Sequence, residues 1–366
     1  MDRKPNISIV CDDLMVGGWT TLAAIIALLS REANIYVICL FGRGPIADEL
    51  EAKGIKIYFF NFKIYNLPIK FLQLLFFLKK HKIDIVHTNL HLSHIIGQSA
   101  AMFAGTRKII HMHSLEKAPR GLIGWWKSFL VQKADMVIPV SQASLKAFQK
   151  AYPLYKNQVK VIYNGVDIAE IRKRCKESKY HRAEFGVEEN AFLIISVANL
   201  KWEKGLIYLI AGAQRLPPSI HFLIVGDGPQ KTMLKEEIEK AKLSERFHFL
   251  GQRRDIPELL SLANAFVLPS VVEGFGISLL EALAVGLPSI ASNVGGIPEM
   301  FSGQELALLV PPANPEKLAD AISMVHSDAE LRKKLSENSE QSVKNFDIHL
   351  ISKQYYDVYM ELIENS

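Results

Sequence analysis

Cysteine is scarce in this chain. The 366 residues hold three, Cys11, Cys39 and Cys175, too far apart in sequence to form a metal or redox motif. That sets aside a disulfide framework and a zinc site and leads us to expect a reducing compartment. Long apolar runs are missing as well. The most apolar segments, Leu22–Leu29 and Ile69–Leu78, fall short of the roughly 18 residues that cross a bilayer. The opening MDRKPNISIVCDD has too short an apolar stretch for a secretory signal. The expectation is a cytoplasmic protein without a transmembrane helix. Charge of one sign is not in large excess either. With 43 Lys and Arg against 38 Asp and Glu, the net charge of +5 gives no reason to expect nucleic acid as a partner. No short-period repeat is present.

What the chain does have is an ordinary globular composition, 49% hydrophobic and 22% charged, which excludes a disordered chain, and length for two domains. Short β-rich runs alternate with helical patterns throughout, which argues for βαβ units and parallel sheets. One set of strands runs from Ile7–Cys11 to Val159–Ile162. A second restarts at Phe192–Val197 and continues through His221–Val225, Phe247–Leu250, Ala265–Leu268 and Ser289–Ser292 to a short one near Ala307–Val310.

The most informative stretch is Pro269–Glu299. A loop with Glu273, Gly274 and Gly276 follows an apolar strand and opens a helix from about Ile277, which stops at Gly286-Leu287-Pro288. Glycines let the backbone turn tightly and approach a ligand. The helix start offers unpaired N–H groups and the positive end of a dipole, a site suited to phosphate. Glu273 precedes the helix and Glu281 lies eight residues further on. A carboxylate accepts hydrogen bonds only and can hold both hydroxyls of a diol. Glu281 therefore suits a ribose, and Glu273 a second polyhydroxylated group across the phosphates.

Glu273-Gly274-Phe275-Gly276, Glu281-Ala282, Gly286-Leu287-Pro288 and Gly295-Gly296 resemble the E-x7-E signature of the retaining glycosyltransferases of family 4. The resemblance covers most of the chain and is strongest from Phe192 to Ala307. It implies an α/β GT-B fold, two Rossmann-like domains with parallel sheets facing across a cleft. The expected boundaries are an N-terminal acceptor domain over 1–165, with the last helix, 346–366, packing back on it; a linker over 166–190; and a donor-binding domain over 191–345. The implied reaction moves a sugar from a UDP- or GDP-linked donor to a glycan or lipid-linked acceptor, with retention and with no cofactor, as in bacterial surface-polysaccharide assembly.

The resemblance also suggests roles for single residues. Lys204, after the first strand of the second domain, matches a lysine that pairs with the donor diphosphate. Five residues earlier the family pattern has an arginine; here Asn199 stands there, with a basic residue instead at Lys201. His113 matches a histidine that touches the donor sugar. Gly17 and Gly18 allow the backbone to approach the diphosphate, and Arg253 borders the nucleobase pocket. Gly274, Phe275, Gly276, Ile277 and Ser278 complete the donor-binding set with Glu273 and Glu281; Glu273, Lys204 and His113 are the catalytic candidates. The chain has no Asp-x-Asp pair to hold a metal on the diphosphate, so Lys204, Lys201 and the Gly276–Ser278 amides are left to stabilise the leaving group.

Alternatives remain open at this stage. A nucleotide-sugar 2-epimerase shares the fold, and a non-catalytic nucleotide-sugar-binding subunit fits the departure at Asn199. His87, Asn89, His91 and His94 cluster after another strand and suit an acceptor contact better than a metal. Ile64–Lys82 and Lys117–Lys133, which includes Trp125-Trp126 with Arg120 and Lys127 nearby, combine lysines with large apolar residues. This suits a peripheral contact with an anionic membrane, at the cytoplasmic face of the inner membrane. The competing reading of the first stretch is a core face formed by Phe71, Leu74, Leu75 and Leu78.

Overall fold

The computed structural model describes residues 3–14, 19–44, 46–89, 91–113, 115, 121–301 and 307–364, without the side chains of 19–21, 91, 340 and 341. The chain forms two units, Met1–Asn164 with Ile348–Ser366, and Gly165–Asp347.

In the first unit, strands β1 (Asn6–Cys11), β2 (Asn34–Cys39), β3 (Lys56–Phe59), β4 (Ile85–Asn89), β5 (Arg107–Met112), β6 (Met136–Pro139) and β7 (Gln158–Val159) form one sheet in the order β3-β2-β1-β4-β5-β6-β7. The pairings are parallel. Its central strands are buried on both faces, which is why β1 and β2 read as largely apolar runs, while β4 ends in the buried polar residues His87, Thr88 and Asn89. Ile7, Ile9 and Cys11 point to one core together with the helix Trp19–Leu29. Val10, Ile38 and Val86 point to the other, against the helix Leu67–Lys80. On that second face Gly97 lets the helix His91–Ala104 sit close to the sheet: a Cβ there would lie 2.8 Å from Thr88 Cγ2.

The final helix, Ile348–Glu364, buries Ile348, Ile351, Tyr355, Val358, Tyr359 and Leu362. This stripe at three- and four-residue spacing joins the core with β1 and Trp19–Leu29.

In the second unit, β8 (Phe192–Val197), β9 (Ile220–Val225), β10 (Phe247–Gly251), β11 (Ala265–Leu268), β12 (Ser289–Ser292) and β13 (Ala307–Val310) are ordered β10-β9-β8-β11-β12-β13, again with parallel pairings. In both sheets the strand order reverses beside the first strand, as in a doubly wound nucleotide-binding fold.

Residues 166–190, expected as a linker, are instead folded into the second unit. Asp167 caps the helix Ile168–Lys176, whose Ile168 and Ile171 are buried. Arg172 Nε donates to Ala284 O at 2.7 Å, and Arg174 forks onto Glu258 at 2.9 and 2.8 Å. The Asn164-Gly165 turn suggests a link there; the helix that follows carries five charged residues in nine, and Arg172 and Arg174 spend theirs within the unit.

Candidate functional site

Open parallel sheets bind ligands beyond the strand ends, where the strand order reverses. In the second unit that place lies between β8 and β11, which are neighbours in the sheet. The loop after β8 carries Asn199, Lys201 and Lys204; the loop after β11 carries Glu273, Gly274 and Gly276. Main-chain contacts bind the two loops. Val271 and Val272 donate to Glu203 O at 2.8 and 3.2 Å. Gly205, at φ +64°, lies so close that a Cβ would be 2.0 Å from Pro269 O, an approach only glycine permits.

That scaffold brings Lys204 Nζ to 2.6 Å from Glu273 Oε2, with Ser270 Oγ donating to the same oxygen at 3.1 Å. The side chains are 24% and 11% exposed, desolvated enough to interact strongly yet open to a ligand. Behind Glu273, Gly295 at φ +58° presses its backbone on the loop: a Cβ would lie 1.8 Å from Glu273 O.

Gly276, at φ +101°, is the N-cap of the helix Ile277–Ala284 and supplies no side-chain cap. The first amides, at half-buried Ile277 and Ser278, therefore have no N-cap side chain to accept from them, the feature that suits a helix start to an anion. Phe275 is different. Its ring is 1% exposed and packs on Phe346, with centroids 5.5 Å apart. The expected donor contact is thus limited to its main chain, because the side chain belongs to the core.

Glu281 sits one turn into the helix and is half-buried. Burial pushes its carboxyl up to about 7, against a smaller opposing pull from Arg174. Lys201 and Asn199 are exposed, and among the described residues no carboxylate pairs with Lys201. Arg253 is already engaged. Its Nε donates to Asp255 Oδ1 at 2.8 Å and its Nη2 to the Tyr180 hydroxyl at 3.1 Å. Burial works against Asp255, yet these partners hold its carboxyl down at about 2. The guanidinium of Arg253, a residue expected at the nucleobase through its side chain or its main chain, braces the segment that carries Tyr180.

In the first unit, Gly17 and Gly18 lie outside the described residues. The histidines at the ends of β4 and β5 form a buried polar network. Asn89 Oδ1 meets His111 Nδ1 at 3.0 Å and His113 Nε2 at 2.8 Å. His111 Nε2 lies 3.0 Å from the Tyr355 hydroxyl, and His87 Nδ1 lies 2.7 Å from that of Tyr359. Burial lowers His113 to about 4 and His87 to about 3, and holds His111 well below its ordinary value, so the three rings are neutral at neutral pH. His113 is half-buried; His87, His94 and His111 are buried. The side chain of His91 is outside the described set. Among the described residues no three His, Cys, Asp or Glu are grouped to hold a metal ion.

Three partners escaped the sequence reading. Ser270 sits three residues before Glu273, and that spacing alone was the available signal. Tyr355 and Tyr359 are hydroxyl-bearing residues on an otherwise apolar helical stripe, and a buried phenol requires a partner.

Comparison with known proteins supplies the context. Residues 17–170 match the family model for Glycosyltransferase Family 4, and residues 177–342 that for Glycosyl transferases group 1. The chain is 27% identical over 357 residues, 92% of each chain, to the UDP-Gal:alpha-D-GlcNAc-diphosphoundecaprenol alpha-1,3-galactosyltransferase of Escherichia coli. It is 26% identical over 362 residues to the N,N'-diacetylbacillosaminyl-diphospho-undecaprenol alpha-1,3-N-acetylgalactosaminyltransferase of Campylobacter jejuni, with 93% of this chain and 94% of the relative covered. In structure it is similar to Anabaena HepE in complex with UDP-glucose, at a TM-score of 0.85 and 26% identity, covering 97% of this chain and 99% of that one.

Proposed function

The chain belongs to the GT-B glycosyltransferases, joining a family 4 domain to a group 1 domain, and from that premise we propose that it transfers a hexose from a UDP- or GDP-sugar to a lipid-linked glycan, with retention and without a metal. The observation that carries this reading is the Lys204–Glu273 pair at 2.6 Å, placed where the strand order reverses and beside an uncapped helix start.

Each part has a chemical task. As the bond between the anomeric carbon and the diphosphate oxygen breaks, positive charge grows on the ring and negative charge on the leaving group. Glu273 holds sugar hydroxyls and faces the first charge. A lysine ammonium has three N–H donors; with one on Glu273, Lys204 keeps two for phosphate oxygens. The amides of Ile277 and Ser278 add fixed dipoles, Lys201 a second cation, and Glu281 takes the ribose diol. Such preorganised donors cost no reorganisation in the transition state. The acceptor hydroxyl forms its new bond on the face the phosphate leaves, its proton passing to the departing phosphate oxygen. His113, through the nitrogen not engaged with Asn89, contacts the sugar.

The lipid-linked acceptor is supported by the E. coli and C. jejuni relatives, both named for undecaprenol-linked acceptors. A role in surface-polysaccharide assembly on the cytoplasmic leaflet follows from the same reading. The test is a screen of nucleotide sugars with a polyprenyl-diphosphate-linked acceptor, followed by the anomeric configuration of the product. The expected product keeps the donor's configuration and forms in the presence of a chelator. Inversion, or activity lost in chelator and restored by magnesium, overturns the mechanism.

A further inference from the structure

We propose that the outer surface of three helices in the first unit, Leu67–Lys80, His91–Ala104 and Gly121–Gln132, docks on an anionic lipid bilayer; this rests on the lipid-linked acceptor proposed above. The first helix bears out the core face expected of its sequence, and it is apolar on a second face as well. Leu74 and Leu78 are buried in the core. On the opposite side Ile69, Leu72 and Phe76, spaced three and four apart, are 63%, 62% and 66% exposed, and Tyr65, in the short turn Ile64–Asn66 just before the helix, is 79% exposed. Beside them, Phe103 of the second helix meets Phe71 edge-on at 6.2 Å and is 57% exposed. On the third helix Leu122, Ile123 and Trp125 stand out at 88%, 72% and 66%. A surface helix ordinarily turns polar residues outward, and contiguous exposed apolar area marks an interaction site.

Charge decides the occupant. Residues 52–134 hold thirteen lysines and arginines against two carboxylates, Asp84 and Glu116, although the whole chain has 43 against 38; of the thirteen, Lys53 pairs with Glu49, and Arg107 and Lys108 with Asp135, carboxylates just outside that stretch. Asp84 is already tied to Arg3 at 2.7 Å. Among the described residues Lys63, Lys70, Lys79 and Lys80, on and beside the first helix, have no carboxylate partner. Lys117 and Arg120 lie outside the described residues and are not needed. Uncompensated lysines flanking an apolar stripe, with an exposed tryptophan, suit an anionic interface. A second copy packing symmetrically on this face would set lysines against lysines. No described helix is long and apolar enough to cross a membrane, so the contact is peripheral.

The experiment is co-sedimentation of the full chain with phosphatidylglycerol and with phosphatidylcholine vesicles, at low and high salt. The wild type should bind the anionic vesicles and release in salt. Replacing Lys79 and Lys80 by Gln should weaken binding on the order of 25-fold, from ~5-fold per lysine. The triple variant Ile69→Ser/Leu72→Ser/Phe76→Ser should lose binding while its melting temperature and UDP affinity stay unchanged. It should also lose transfer to a vesicle-embedded acceptor yet keep transfer to a short-chain, water-soluble one. Equal binding to neutral and anionic vesicles, or an unaffected triple variant, overturns the proposal. So does a wild-type dimer that ignores vesicles and that the triple variant dissociates. Loss of UDP binding, or of transfer to the soluble acceptor, in the unmutated chain would overturn the proposed function instead.

Discussion

Lys204 and Glu273, 69 residues apart in sequence, meet at 2.6 Å because two loops at the strand-order reversal are bound together through Glu203 O and pressed close at Gly205. Glu273→Gln therefore does more than remove the proposed sugar contact: it frees Lys204 from its partner. Turnover should fall about 10²–10³-fold in Lys204→Ala, the range seen when one preorganised donor is lost, with the fold intact by circular dichroism. Lys204→Arg should recover little, since a planar fork does not replace a compact ammonium with three donors.

Glu281 makes a pH prediction. Its folded carboxyl is pushed by burial from the ordinary 4.5 to about 7, so the folded chain holds this proton more tightly than the unfolded one. The stabilisation is fully present below the ordinary value and is lost as pH rises towards about 7. Glu281→Gln should flatten that slope in melting curves taken across the range. Under the proposed ribose role, which uses the carboxylate, UDP affinity of the wild type should rise relative to Glu281→Gln as pH passes about 7. Glu281→Ala should weaken UDP by roughly 1.5–3 kcal/mol by calorimetry. Parallel pH curves for wild type and Gln variant would remove the ribose assignment.

Phe275 lies inside the signature but packs as a core residue. Phe275→Ala should destabilise the second unit by about 3–5 kcal/mol, read in denaturant melts, whereas Phe275→Leu should restore most of the stability and nearly all donor affinity. Weak donor binding in a stable Phe275→Leu protein would mean that the ring touches the ligand after all.

The alternation of strands and helices was legible because both faces of each sheet are covered, so most central strands carry an apolar run. The glycine-flanked carboxylates were legible because a turn that only glycine can make leaves a mark in sequence. What stayed hidden depends on three-dimensional neighbours. Arg253 looks like a free cation until Asp255 and Tyr180 close on it, and residues 166–190 look like a tether until Ile168 and Ile171 are buried within the second unit. The outer stripe of Ile69, Leu72 and Phe76 was masked by the core stripe on the same helix, since an all-round apolar segment does not say which face is buried.

Most directly, release of nucleoside diphosphate should be followed for wild type and Lys204→Ala with a panel of UDP- and GDP-sugars, a polyprenyl-diphosphate-linked acceptor and a chelator. The account predicts acceptor-dependent release from one donor sugar, undiminished by the chelator and lost about 10²-fold or more in the variant. Release that ignores the acceptor, or that Lys204→Ala leaves unchanged, would contradict it.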